Sequence, residues 1–152
     1  MQLGGWVSAQ YPQVLVFHQT GLFLLRSSLG YDYADYFHGE AVVAFYKCVE
    51  AIVARRRRLK PELNQIQEEA AKLKANTDAN EIKDLYIARS AAGAHGGELH
   101  HVSRATAVDA KLFAEEMLWK DYFDRCTGGI DAGGPRKRPG SRLGYGSGSV
   151  RR

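Results

Sequence analysis

The sequence predicts a mainly α-helical protein, a small helical hairpin or bundle with a possible short N-terminal β-hairpin and an extended C-terminal tail. Apolar residues recur at three- and four-residue steps through much of residues 40–126, which is helical periodicity. Eight of the 16 glycines and two of the four prolines fall in residues 127–152, where a packed element is implausible. With 152 residues, of which 45% are hydrophobic and 25% charged, the chain suits one modest core. We therefore divide it into an N-terminal arm (1–39), a helical domain (40–126) and a basic tail (127–152).

The clearest helical pattern begins at Glu40. Its apolar positions form one stripe along a helix: Val42, Phe45, Tyr46, Val49, Ile52 and Val53. The run Arg55–Arg58 follows near the predicted helix end, where positive charge suits the helix dipole. Lys60-Pro61 then ends or kinks the helix, because a residue before proline is pushed out of the helical region.

Three further helices are predicted after this one. The second starts at Pro61, and we expect it to pack as half of a helical hairpin through a narrow seam: Leu63, Ile66, Ala70 and Leu73. Asp78 and Glu81 have the spacing of a capping box for the third helix. The fourth spans about 102–125 and has a wide, aromatic-rich apolar arc. We expect that arc to be covered by the first helix or by another protein.

The N-terminal arm contains two short apolar blocks, 14–17 and 22–25, separated by a polar stretch that ends in Gly21. This pattern favours a β-hairpin. The alternative is one helix over 13–27, and periodicity alone does not distinguish the two. Neither block approaches the ~20 apolar residues that a membrane-spanning helix needs. Because the first basic residue is Arg26, no charged segment precedes the apolar stretch, and we expect a cytoplasmic protein without a secretory signal.

Residues 31–37 alternate aromatic and acidic side chains between two glycines. In an exposed loop, the rings of Tyr31, Tyr33 and Tyr36 would mark an interface, since aromatic residues dominate contact energies there. The alternative is that some of these rings close the edge of the domain's own core.

Positive charge is concentrated in the tail. Residues 127–152 hold six basic residues and one acid, a net of +5, whereas residues 1–126 hold 15 basic and 16 acidic residues, a net of −1. A basic segment beside a neutral body indicates an acidic partner. The residues that we assign to partner binding are basic or aromatic: Arg55, Arg56, Arg57, Arg58, Arg136, Lys137, Arg138, Arg142, Tyr145, Arg151, Arg152, Tyr31, Tyr33 and Tyr36.

No pattern in the chain predicts catalysis, a metal or a cofactor. The histidines of 95–101 match neither HExxH nor HxxEH, and we interpret them as part of a polar loop and a helix start. The glycines of 144–148 lack the strand, helix and lysine of a phosphate-binding loop. Cys48 and Cys126 have no zinc-ligand spacing, and we expect both to be small buried thiols.

We therefore expect a non-enzymatic structural subunit that docks onto a large acidic assembly, with a cytoskeletal filament such as a microtubule as the favoured example. One alternative is an RNA-associated accessory subunit of a ribonucleoprotein particle, because Tyr145 lies among glycines, serines and arginines. Another is a peripheral subunit of an organellar membrane complex, supported only by the apolar segment 14–25. We do not predict homo-oligomerisation.

Overall fold

A computed structural model of the protein describes residues 12–29, 34–58, 60–93 and 101–127. These residues form five helices: α1 (Pro12–Ser27), α2 (Ala34–Arg57), α3 (Leu63–Lys72), α4 (Ala79–Gly93) and α5 (Arg104–Cys126). No strand occurs within the described ranges, and the mainly α-helical class is confirmed. None of the helices in these ranges is long and apolar enough to cross a membrane.

The central helix is α2, against which α1, α4 and α5 all pack. The six apolar residues of the predicted stripe are each no more than 1% exposed, so this stripe is confirmed as the centre of the core. The helix begins at Ala34, so the boundary predicted between residues 39 and 40 falls within it.

The segment for which a hairpin or a helix was considered is the single helix α1, so the favoured hairpin is not formed there. Val14 and Leu25 lie in the core, while Phe23 is 69% exposed. Gly21 does not mark a turn, because it lies where α1 packs closely against α2. A Cβ atom at Gly21 would lie only 2.6 Å from Cε1 of Phe45. The missing side chain therefore lets the two helices approach each other.

The link between α2 and α3 lies where the sequence predicted it, although α3 begins at Leu63 and not at Pro61. Arg58 leaves the helix with a positive φ of 58°, and Pro61 comes two residues before α3 begins. Glu62 is the N-cap of α3, and its backbone N–H donates to Oε1 of Gln65 at 2.9 Å. The seam faces the protein interior, with its last three members buried and the first partly buried: Ile66, Ala70, Leu73 and Leu63.

The predicted capping box of the third helix is also confirmed, at the start of α4. The backbone N–H of Asp78 donates to Oε2 of Glu81 at 2.9 Å, and the N–H of Glu81 donates to Oδ1 of Asp78 at 2.9 Å. These two bonds satisfy N–H groups that have no partner within the helix itself. The helix then buries Ile82 and Leu85.

The last helix, α5, starts at Arg104 with Ser103 as its N-cap, since the Ser103 hydroxyl accepts from the backbone N–H of Thr106 at 3.1 Å. Its start lies beside the start of α2, because the ring of His38 contacts the carbonyl of Val102. The inner side of α5 is covered by α2 and buries five apolar residues: Ala107, Ala110, Phe113, Ala114 and Met117.

The two cysteines differ in environment. Cys48 is buried, as expected, and its thiol donates to the Val14 carbonyl at 3.6 Å. Burial raises the pKa of Cys48 to about 12, with a smaller contribution from the negative charge of Glu115. Cys126 is exposed, so the expectation that it is buried is wrong. It is the final residue of α5, and the described residues on either side of it, Arg125 and Thr127, are exposed as well.

Candidate partner-binding surface

Arg56, one of the arginines assigned to partner binding, makes its contacts inside the protein. Its Nε donates to Glu69 at 2.9 Å, and its Nη1 donates to Asp121 at 2.6 Å and to Asp124 at 3.0 Å. Glu69 is only 4% exposed and Asp121 is fully buried. A buried carboxylate has lost its hydration, and the guanidinium provides the compensating charge and hydrogen bonds. Arg56 therefore ties together α2, α3 and α5.

Neighbouring side chains complete a neutral group around these contacts. Arg57 and Lys72 both donate to Glu69 at 2.9 Å, and Arg125 donates to Asp121 at 2.9 Å. We call the following eight residues the ion-pair cluster: Arg56, Arg57, Glu68, Glu69, Lys72, Asp121, Asp124 and Arg125. Four are basic and four are acidic, so the positive charge of Arg56 and Arg57 is balanced within the domain.

The ion-pair cluster controls the protonation of Glu69. Burial by itself raises the pKa of this carboxyl. Hydrogen bonds from Lys72, Arg56 and Arg57 lower it by a larger amount, and the resulting pKa is about 2. Burial lowers the pKa of Arg56, but its hydrogen bonds to Asp121, Glu69 and Asp124 outweigh this effect and hold the pKa above its ordinary value. Both partners therefore stay charged at neutral pH.

We expect this pair to make folding sensitive to acid. The folded-state pKa of Glu69 is below that of an unfolded glutamate, so its stabilisation is present above about pH 4.5 and is lost as the pH falls towards 2. The measurement is the free energy of unfolding in urea between these pH values, where Glu69→Gln should flatten the pH dependence. Glu68→Gln, at the exposed neighbouring position, is the control and should leave most of this pH dependence in place. The prediction would be contradicted if the free energy of unfolding changed with pH equally in Glu69→Gln and in the wild type.

The C-terminal half of α5 presents an exposed group of aromatic side chains. Trp119 is 46% exposed and Phe123 is 56% exposed, and their rings stack with centroids 5.8 Å apart. The half-buried Tyr122 meets the two rings edge-on, at 6.1 Å and 5.5 Å respectively. We call Trp119, Tyr122 and Phe123 the aromatic cluster. Adjacent exposed aromatic residues of this kind are typical of protein interaction sites.

The aromatic cluster lies where the basic tail begins. Since α5 ends at Cys126, residues 127–152 with their net charge of +5 follow within four residues of Phe123. Leu112, seven residues before Trp119, is 54% exposed but outside the aromatic cluster. An exposed apolar anchor and a positively charged segment are thus adjacent along the chain.

The other residues assigned to partner binding are placed only in part. Arg55 and Arg58 are exposed. Tyr36 is 52% exposed, with its ring edge-on to that of Phe37 at 5.8 Å. The remaining assigned residues lie outside the described ranges: Tyr31, Tyr33, Arg136, Lys137, Arg138, Arg142, Tyr145, Arg151 and Arg152.

Most of the histidine-rich segment 95–101 also lies outside the described ranges, although His101 is placed and exposed. Within the described part of the chain, no group of three or more histidine, cysteine, aspartate or glutamate residues could hold a metal ion. His18 and His38 make contacts between segments. His18 lies 3.0 Å from Oε1 of Glu115, and Nε2 of His38 lies 3.0 Å from the Ser28 hydroxyl.

A cleft of about 750 Å³ opens between α2, the start of α3 and α4. Glu50 and Arg89 line it and are paired with each other at 3.0 Å. The guanidinium of Arg89 also lies over the ring of Tyr46, whose buried hydroxyl has no hydrogen-bond partner among the described residues. The pair of Glu50 and Arg89 thus joins α2 and α4.

Neither the ion-pair cluster nor the aromatic cluster was predicted from the sequence as a site. One signal for the first was available, because Asp121 falls on the same helical face as Phe113 and Met117. A carboxylate on an otherwise apolar face is expected to be buried, and a buried charge needs a partner of opposite charge. The signal for the aromatic cluster was the apolar arc of the fourth predicted helix, because that arc is wider than one neighbouring helix can cover.

Comparison of the chain with protein-family models, with curated protein sequences and with solved structures gave no match.

Proposed function

We propose that this protein is a non-catalytic structural subunit of the cytoplasm that docks onto a large assembly with an acidic surface, with a cytoskeletal filament such as a microtubule as the favoured example. The observation that carries the proposal is the adjacency of the aromatic cluster and the +5 segment 127–152. Aromatic side chains supply contact area, and the basic segment supplies attraction to an acidic surface.

The balance of charge within the domain supports assigning attachment to the tail. Arg56 and Arg57 are held by carboxylates of the ion-pair cluster. Residues 1–126 carry a net charge of −1, so the domain as a whole has little attraction for an acidic surface. Long-range attraction to such a surface therefore falls to residues 127–152.

Deletion of residues 127–152 is expected to abolish co-sedimentation with polymerised tubulin and to leave helical content and the melting temperature nearly unchanged. The reason is that this segment holds all of the net positive charge, while the core lies in α1–α5. A second variant keeps the chain length and replaces Arg136, Lys137 and Arg138 with glutamine. It should reduce co-sedimentation about tenfold, since three exposed ionic contacts of roughly 0.2–1 kcal/mol each together contribute about the 1.4 kcal/mol that corresponds to that factor. A large drop in melting temperature on deletion would instead make the tail part of the core.

The alternative is an RNA-associated subunit, for which Tyr145 among glycines and arginines is the supporting feature. Salt titrations of binding to RNA and to polymerised tubulin distinguish the two functions. RNA binding should weaken steeply and independently of sequence as the salt concentration rises, because binding releases counterions from the phosphates. Tight RNA binding with no tubulin binding at physiological salt would favour this alternative.

A further inference from the structure

From its surplus of hydrogen-bond donors, we infer that the cleft between α2, α3 and α4 binds a small organic anion. The carboxylate or phosphate group of this ligand lies on Arg89 and Lys60, and its apolar or aromatic body lies against Tyr86. We call the cavity the anion cleft, and its lining also includes Glu50 and Leu63. The inference goes beyond the proposed function and does not depend on it.

The size of the anion cleft suits a small organic molecule. Its volume of about 750 Å³ lies within the range of ligand pockets, roughly 300–1,000 Å³. A lone carboxylate or phosphate group would fill only a small part of this volume. Pro61, Leu63 and Tyr86 supply apolar surface to the lining. The cleft therefore has room, and a suitable surface, for an apolar or aromatic body.

The basic residues of the anion cleft have spare hydrogen-bond donors. A guanidinium group has five N–H donors, and among the described residues Arg89 uses one of them, on Oε1 of Glu50 at 3.0 Å. Lys60 is exposed, and no hydrogen bond or ion pair with a described residue holds its ammonium group. An oxyanion is the ligand group that satisfies donors of this kind, through charge-assisted hydrogen bonds.

The acidic residues of the anion cleft are already compensated. The carboxylate of Glu50 is paired with Arg89. Glu62 is the N-cap of α3, where the positive end of the helix dipole favours a negative charge. The unused hydrogen-bonding capacity of the charged side chains is therefore on the donor side, which favours an anion over a cation as the ligand.

A buried hydroxyl beside the anion cleft also needs an acceptor. Tyr46 is 1% exposed, and its hydroxyl has no hydrogen-bond partner among the described residues. Burial raises the pKa of Tyr46, the negative charge of Glu50 raises it further, and the positive charge of Arg89 lowers it by a smaller amount. The hydroxyl thus keeps its proton and lies close to the pair of charged groups that lines the cleft. A buried donor without an acceptor is costly, so an acceptor at this position stabilises the protein.

An oxyanion bound to Arg89 makes such an acceptor available. Glu50 follows Tyr46 by four residues on α2, and side chains four residues apart are neighbours on a helix. When the oxyanion replaces Glu50 as the partner of Arg89, the released carboxylate can accept from the Tyr46 hydroxyl. Binding therefore exchanges one ion pair for another and gives the buried hydroxyl a hydrogen bond.

The test is a nuclear magnetic resonance titration of the full nitrogen-15-labelled chain, followed at the backbone amides of Leu63, Tyr86 and Arg89. Phenyl phosphate and phenylacetate carry the two candidate oxyanions on an aromatic body. We expect saturable shifts with one or both of them, and the tighter one identifies the preferred group. Benzyl alcohol, which lacks the charge, and inorganic phosphate, which lacks the body, should each bind at least about tenfold more weakly.

Three variants and a control locate the ligand. Arg89→Gln should weaken binding of the tighter probe at least about tenfold, because it removes a charge-assisted hydrogen bond, and Lys60→Gln should weaken it by a smaller factor. Lys83→Gln is the matched control, since Lys83 is an exposed lysine of α4 outside the cleft, and it should leave binding unchanged. Tyr46→Phe should raise the melting temperature of the ligand-free protein, because it removes the unsatisfied hydroxyl, and yet weaken binding about threefold or more.

Several outcomes would overturn the inference. One is the lack of a saturable shift with either oxyanion at millimolar concentrations, and another is binding of benzyl alcohol or inorganic phosphate as tight as that of the aromatic oxyanions. A third is unchanged binding in both Arg89→Gln and Lys60→Gln, with both variants shown to be folded by circular dichroism. Unchanged binding in Tyr46→Phe would overturn the exchange at Glu50. Co-sedimentation through residues 127–152 is measured separately, so these outcomes leave the proposed function unaffected.

Discussion

Arg56→Met is expected to lower the free energy of unfolding by about 3–5 kcal/mol, the range for breaking a buried ion pair by removal of one partner. The substitution leaves Asp121, which is fully buried, with Arg125 as its remaining ion-pair partner among the described residues. It also removes one of the three cations that hold Glu69. Methionine fills much of the space of the arginine stem, so the loss of charge and hydrogen bonds accounts for most of the effect.

The measurement is urea denaturation at pH 7, followed by helical circular dichroism. Arg58→Met is the matched control, two residues further along the same run, because Arg58 is exposed and should change stability by no more than about 0.5 kcal/mol. A double-mutant cycle of Arg56→Met with Asp121→Asn isolates the pair from other contacts. Equal effects of Arg56→Met and Arg58→Met would contradict the internal role that the structure gives Arg56.

This prediction also bears on function. If Arg56 is structural, Arg56→Met should weaken partner binding only as far as it unfolds the protein, and binding at a temperature well below the melting midpoint should be nearly normal. The tail variants behave in the opposite way, since they are expected to lose binding without losing stability. The two sets of variants therefore separate the arginines of the domain from the basic residues of the tail.

The elements that the sequence predicted correctly are those fixed by contacts between near neighbours. The stripe of α2 repeats at helical spacing, and all six of its residues are buried. The capping box of Asp78 and Glu81 lies within four residues, and both of its hydrogen bonds are present. In such cases, residue spacing alone specifies the interaction.

The features that the sequence did not predict depend on residues far apart in the chain. The carboxylates that hold Arg56 lie 13, 65 and 68 positions away, so the arginine run looks like a solvated or partner-binding segment when it is considered locally. The sequence predicted that α5 has a wide apolar arc. Which side of that arc stays exposed depends on where α2 packs against the helix. Exposure of the aromatic cluster is therefore a property of the packed domain.

Replacing Gly21 with alanine is expected to lower the stability of the protein, whereas the same replacement inside a helix usually raises it. Inside a helix, replacing glycine with alanine normally stabilises by roughly 0.5–1 kcal/mol, because alanine loses less conformational entropy on folding. At Gly21 the new Cβ would lie 2.6, 2.7 and 2.8 Å from three carbons of the Phe45 ring, which is fully buried. We expect Gly21→Ala to destabilise by about 1–3 kcal/mol, as overpacking of a core does, and Gly21→Leu to destabilise more.

Two other helical glycines provide a graded control. At Gly39 a Cβ would lie 3.2 Å from the Cβ of Ala92, and at Gly93 it would meet nothing within 4 Å. Thermal melting should therefore rank the three alanine variants with Gly21→Ala lowest, Gly39→Ala intermediate and Gly93→Ala at or above the wild type. Combining Gly21→Ala with Phe45→Leu should cost less than the sum of the two single changes, because the smaller side chain makes room for the methyl group. If Gly21→Ala melts as high as Gly93→Ala, α1 does not cross α2 at Gly21, and the hairpin for residues 14–25 becomes the better description of that segment.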